Sequence, residues 1–136
     1  MKIAITGGAG FLGLRLARTL LAAGSLSING QPSRAITRLA LLDQVAPPAD
    51  LCADPRVQAH VGDLTALLHA PAAALQDAEV VFHLAAAVSA ECEADFDLGM
   101  RSNFSATHAL LEACRALRSQ PLVVFASSLA VFGQTL

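Results

Sequence analysis

The stretch that most restricts what this chain can fold into is KIAITGGAGFLGLRLARTLLAAG, residues 2–24. KIAIT, 2–6, is short, apolar and closed by glycines, which is how a buried strand reads. A helical pattern over 11–24 follows at once. Leu12, Leu16 and Leu20 share one face, Arg15 and Arg18 the other, and Gly24 stands where a helix C-terminal glycine belongs. In between, Gly7, Gly10 and Gly13 recur every third residue, and Gly8, Gly10 and Gly13 also satisfy G-x-G-x-x-G. Alone the pattern is weak; joining a strand to a helix it is strong. Gly7 permits the tight turn, Gly10 lets the backbone come close to an anion, and Gly13 allows the helix to pack tightly. An anion held there meets unpaired N–H groups and the positive end of the helix dipole.

The rest of the chain repeats the alternation. TRLALLD (37–43), VQAHVGD (57–63), EVVFHLAA (79–86) and PLVVFASS (121–128) read as strands, the fourth of the five continuously apolar as a central parallel strand should be. SLSINGQPSR (25–34) reads as a surface loop, and 64–78 as one or two helical turns with a loop around Pro71. A long helix is expected over 92–118, with Phe96, Met100, Phe104, Thr107, Leu111 and Cys114 forming one apolar stripe. Strand, helix, strand in repetition predicts an α/β fold, a Rossmann-type doubly wound parallel sheet with right-handed crossovers and five strands. The composition, 54% hydrophobic and 15% charged, suits a sheet covered on both faces.

A formal net charge of −2 supplies no basic patch, so nucleic acid is not the expected partner. No apolar run approaches the roughly 20 residues of a membrane span, and MKIAITGGAGF leads straight into a strand without a signal-peptide pattern. Cys52, Cys92 and Cys114 are odd in number and far apart, which favours reduced thiols acting as small buried hydrophobes in a cytoplasmic protein. The acidic run ECEADFD (91–97) reads as a solvated helix cap, not a metal site.

A second test of the glycine loop is an acid at the end of the second strand, where it can accept hydrogen bonds from a ribose. Asp43 sits there, later than the usual spacing of about 20 residues, and the 25–34 insertion accounts for the delay. A carboxylate at that point repels a 2′-phosphate and favours NAD over NADP. Capping of the next turn is the alternative use for Asp43. Asp63 likewise suits either an adenine contact or an N-cap for the following helix. His83, inside an apolar strand, reads as a structural histidine.

Together these features resemble the extended short-chain dehydrogenase/reductase family, the NAD-dependent epimerase/dehydratase group. Thr6 to Gly13 is similar to its TGxxGxxG loop, and Gly62-Asp63-Leu64 to the turn after its third strand. Val81-Phe82-His83-Leu84-Ala85-Ala86 resembles its fourth strand, Arg101-Ser102-Asn103 falls where its long helix carries an Asn, and Ser127 to Gly133 resembles its SS-x-x-V-(Y/F)-G stretch. LLDQVAPP (41–48) and DPRVQAHVGDL (54–64) look closer to members that oxidise four-carbon sugar acids than to sugar-nucleotide epimerases.

The resemblance implies NAD as cofactor, held by Gly7, Gly10, Phe11, Leu12, Gly13, Asp43, Asp63, Leu64, Leu84, Ala85, Ala86, Asn103 and the backbone of Ser127. It implies Ser128 as a catalytic hydroxyl on the substrate oxygen and no metal. Asn103 would tie helix to strand more than touch ligand, and Val88 to Ala90 would lie near the substrate. A small sugar acid or nucleotide-sugar substrate and a possible homodimer also follow from the family. The family's catalytic centre further needs Y-x-x-x-K, in which Tyr is the acid/base and Lys lowers its pKa and binds the nicotinamide ribose. The sequence contains no Tyr, and its one lysine is Lys2. Residues 1–136 are therefore expected to be the incomplete NAD-binding part of a longer enzyme, inactive alone.

Overall fold

The computed structural model describes residues 1–69 and 72–133. Five strands make one wholly parallel sheet: β1 (Lys2–Thr6), β4 (Arg38–Asp43), β5 (Val57–Val61), β6 (Val80–His83) and β7 (Leu122–Phe125). Their order across the sheet is β5-β4-β1-β6-β7. The chain thus steps outward from β1 on one side, then crosses back and steps outward on the other. β1 pairs residue for residue with both neighbours, Ile5 lying opposite Leu41 of β4 and Phe82 of β6.

Side-chain alternation along the strands builds two cores. Ile3, Ile5, Leu39, Leu41 and Val80 face one way, onto Ala17 and Leu20 of α1 (Phe11–Ala23) and Leu51 of α2 (Ala49–Cys52). Ala4, Ala40, Leu42 and Val81 face the other, onto Leu68 and Leu75 and onto Leu110 and Cys114 of α6 (Ala106–Ala116). Period-two strands buried on both faces need apolar residues at every position, which is why these segments read as continuous runs. α1 ends as expected: Gly24 takes φ +68° and its N–H closes on the Leu20 carbonyl.

Several expectations need correction. The 25–34 loop carries a small antiparallel pair, β2 (Ser25–Leu26) with β3 (Arg34–Ala35), turning through Asn29 and Gly30 at positive φ. The strands are shorter than their apolar runs: β5 stops at Val61, β6 at His83 and β7 at Phe125. Residues 64–78 hold α3 (Leu64–Leu67) and a 3-10 turn (Ala73–Leu75), while Pro71 lies outside the described residues.

The single helix expected over 92–118 is divided. α4 (Ser89–Ala94) ends at Asp95, whose extended backbone (φ −139°, ψ 95°) starts α5 (Phe96–Gly99). A π-helical stretch, Met100–Ser105, joins α5 to α6. Asp95 accepts the Leu98 N–H on its side chain, and Glu91 accepts that of Val88, so two acids of the 91–97 run are helix caps. The apolar stripe also fails as a core face. Cys114 is buried, but Phe96, Met100, Phe104 and Leu111 are exposed, and Ala106 and Leu110 occupy the sheet side instead. On α1 the buried face is Gly13, Ala17 and Leu20, with Leu12 exposed. Cys52 is exposed as well, not a buried hydrophobe.

Candidate functional site

The strand order reverses beside β1, and there the loops after β1 and β6 part to leave a cleft at the carboxyl ends of the strands, the place where open α/β sheets bind ligands. Its volume is about 660 Å³, and its walls include the glycine loop, the ends of β4 and β5, and the segment after β6.

The glycine loop is fixed by its neighbours. Gly7 has φ +71°, and a Cβ there would stand 2.8 Å from the Ala85 nitrogen, so only glycine lets the two loops meet. The N–H groups of Gly7 and Gly8 both donate to the Leu42 carbonyl, at 2.9 and 3.2 Å. Gly13 lies against the loop itself: a Cβ would fall 2.0 Å from the Gly7 oxygen. Gly10, by contrast, precedes α1 with ordinary extended angles; it lines the cleft, and a Cβ there would meet a single atom, the Gly7 oxygen at 3.3 Å. Phe11 and Leu12 open the helix at 82% and 60% exposure, so Leu12 serves the cleft rim and not the core.

Asp43 ends β4. Its Oδ2 accepts the Ala9 N–H at 2.9 Å and its Oδ1 the Val45 N–H at 3.3 Å, so it braces the glycine loop and caps the following turn at once. It also lines the cleft. Asp63 is the N-cap of α3, accepting from Ala66 at 3.0 Å, and with Leu64 lines the same cleft. Leu84, Ala85 and Ala86 form the opposite wall. Asn103 stands behind that wall: its Oδ1 accepts the Ala87 N–H at 2.8 Å, and its Nδ2 donates back to the Ala87 carbonyl at 3.0 Å. The π-helical stretch carries this Asn, a common setting for functional side chains.

The structure thus gathers Gly7, Gly10, Phe11, Leu12, Gly13, Asp43, Asp63, Leu64, Leu84, Ala85 and Ala86 around one cleft. Ser127 and Ser128 follow β7 as exposed residues and are not among the described residues of its wall. Sequence reasoning missed Val45, Gly62, Glu91 and Arg101 as wall residues. Arg101 had a signal, since it precedes Asn103 in the stretch already singled out. Its nearest carboxylate, on Asp95, is 3.9 Å away.

Sheet order and cleft define the class: a Rossmann-type dinucleotide-binding domain. Sequence comparison narrows this further. The chain belongs to the NAD dependent epimerase/dehydratase family, whose model matches residues 3–136. It is 56% identical over 133 residues to the D-erythronate dehydrogenase of Cupriavidus necator and 42% identical to that of Haemophilus influenzae. Each match takes 98% of this chain but only 40% and 39% of the relative. Among solved structures, a nucleoside-diphosphate-sugar epimerase from Agrobacterium tumefaciens superposes with TM-score 0.81 at 38% identity, over 100% of this chain and 40% of that one. MoeE5 in complex with UDP-glucose and NAD gives 0.73 at 28%, over 99% and 39%.

The residues present fit such a cofactor. The first amides of a helix lack partners in a preceding turn and suit a pyrophosphate. Gly10 at the head of α1 and the Asp43 carboxylate at the end of β4 line the same cleft. The cleft volume lies within the common range for ligand sites.

Proposed function

We propose that this chain is the cofactor-binding part of an NAD-dependent dehydrogenase that oxidises a small hydroxy acid or sugar acid, D-erythronate in the first instance, to the oxo acid. The observation carrying this reading is the single cleft that joins the glycine loop, Asp43 and the Leu84–Ala86 wall in a chain 56% identical to a D-erythronate dehydrogenase. When bound, NAD supplies the hydride acceptor. The chain's own residues do the rest of what lies within these 136 positions. The α1 amides and Gly10 seat the pyrophosphate, Asp43 holds the ribose and repels a 2′-phosphate, and Asp63 faces the adenine. Ser128 donates a hydrogen bond to the substrate oxygen and orients it for hydride transfer. The base that takes the hydroxyl proton is a Tyr paired with a Lys, supplied by chain beyond these residues.

The exposed row Phe96, Met100, Phe104 and Leu111 suits burial against a second copy, so a homodimer belongs to the same reading. Cytoplasmic placement accords with its three free cysteines.

The decisive experiment is expression of the full reading frame, with NADH formation followed on D-erythronate. Turnover of D-erythronate with NAD supports the proposal. Interconversion of UDP-sugars without net NADH would replace it with an epimerase, a reading favoured by the superposition on the Agrobacterium epimerase. A reading frame with no Y-x-x-x-K after Leu136 would leave a cofactor-binding module without catalysis.

A further inference from the structure

His83 closes β6 and is 1% exposed, and Thr6, beside it on β1, is wholly buried. Its Nδ1 lies 2.6 Å from the Thr6 hydroxyl and its Nε2 2.8 Å from the Thr107 hydroxyl. Chemistry assigns the protons. The Thr107 hydroxyl has one hydrogen, and it donates to the Asn103 carbonyl at 2.7 Å. Thr107 must therefore accept from the ring, which places the imidazole proton on Nε2. Nδ1 is then an acceptor, and the Thr6 hydroxyl donates to it. The remaining lone pair of Thr6 accepts the Ala85 N–H at 3.3 Å. One directional chain results: Ala85 N–H to Thr6, Thr6 to His83, His83 to Thr107, Thr107 to the Asn103 carbonyl. Asn103 grips Ala87 with its side chain, so the relay begins and ends on the cleft wall after β6. Thr6 is the residue immediately before Gly7, so the same relay holds the start of the glycine loop.

We propose that His83 is a positioning residue for the cofactor. In its neutral Nε2–H form it sets the direction of the relay that holds the glycine loop and the Leu84–Val88 segment in register, and its protonation loosens both. This rests on the NAD reading above. A second proton on Nδ1 would set two donors face to face at Thr6, whose hydrogen would lose its acceptor inside the core. Among the described residues the ring hydrogen-bonds Thr6 from β1 and Thr107 from α6 and stacks on Phe125 from β7 at 5.6 Å; none of the three ionises near neutral pH. Burial alone pushes the His83 pKa below its usual value, with no charged neighbour contributing.

The test uses the full-length protein. Nitrogen NMR on isotopically labelled histidine, which separates His83 from His60, His69 and His108, reads tautomer and titration. Calorimetry reads the NAD dissociation constant across the same pH range. The expected results are an Nε2–H tautomer and an affinity that is flat above the His83 pKa. Below it the affinity should fall by about tenfold per pH unit, the slope of one linked proton. His83→Asn keeps an acceptor near Nδ1 and cannot titrate, so it should bind NAD at high pH and lose that slope. An Nδ1–H tautomer, or an unchanged slope in His83→Asn, overturns the proposal while leaving NAD binding intact. Should that variant not fold, an affinity midpoint about one pH unit or more from the wild-type NMR midpoint overturns it equally, since linkage requires the two to coincide. No NAD binding by wild type at any pH sinks both the NAD reading and this one.

Discussion

Replacing Gly13 and Gly10 by alanine, separately, asks whether two glycines three residues apart do different work. At Gly13 a new Cβ would lie 2.0 Å from the Gly7 oxygen and 2.8 Å from the Gly8 Cα, both backbone atoms with no rotamer to escape into. Overpacking of this kind costs about 1–3 kcal/mol, and two rigid neighbours put it at the upper end. Alanine's better helix propensity returns up to about 1 kcal/mol, leaving a net loss of roughly 2 kcal/mol. In a domain of this size that is a fall of roughly 8 °C in Tm. At Gly10 the nearest atom to a new Cβ is the Gly7 oxygen at 3.3 Å, and the backbone (φ −73°) already suits alanine. Stability should change by under about 1 kcal/mol there, while on the proposed reading the methyl intrudes on the pyrophosphate and should weaken NAD binding by about tenfold or more. Thermal melts by circular dichroism and NAD calorimetry separate the two. A Gly13→Ala protein within about 0.5 kcal/mol of wild type, the range of an ordinary surface change, would refute the packing argument. Unaltered NAD affinity in Gly10→Ala would refute the binding one.

Asp43→Asn keeps the shape of the side chain but loses its charge; NAD affinity should drop and the preference for NAD over NADP should narrow, read by parallel titrations. Asp54 is paired with Arg56, whose hydrogen bonds lower its pKa from an ordinary 3.8 to about 2. Its stabilising contribution is thus present above 3.8 and lost as pH falls from there to about 2, so Asp54→Asn should flatten acid unfolding in that window, and an unchanged curve would count against the pair. Ser128→Ala in the full-length enzyme should lower kcat by about 10²–10³ with NAD binding unchanged, if the hydroxyl stabilises the reacting oxygen. Leu110→Ala, which empties a fully buried site of the second core, should cost about 2–5 kcal/mol in urea melts.

Much of the fold was legible because its three central strands, β1, β4 and β6, are buried on both faces and its glycine loop has one physical use; the edge strands β5 and β7 are largely exposed. What was not legible was decided by partners distant in sequence. Leu12 shared a spacing with Leu16 and Leu20, yet α1 approaches the loop so closely that small residues, Gly13 and Ala17, must face inward and turn Leu12 outward. The stripe from Phe96 to Leu111 had helical period, but the π-helical turns shift the phase, and Leu110 reaches the sheet instead. The β2–β3 pair is too short to print any alternation. At the site, the end of β4 was readable from Asp43, which follows the apolar run Leu39 to Leu42, and the end of β5 from the Gly62-Asp63 turn. The tie from Asn103 to Ala87, and that from His83 to Thr6 and Thr107, join segments 16 to 77 residues apart and left no local mark.

The Leu42 carbonyl accepts two consecutive amides of the glycine loop, and the Asp43 carboxylate takes the next. Gly10's N–H returns to the Gly7 oxygen. Four successive N–H groups that could have wrapped around an arriving phosphate are thereby committed to the protein, and the amides left over are those at the head of α1. With these amides paired to β4 and to the loop itself, little of the loop's backbone is left to order around a ligand. Its shape depends on where β4 ends, so a one-residue slip of that strand would deform the loop without touching a single glycine.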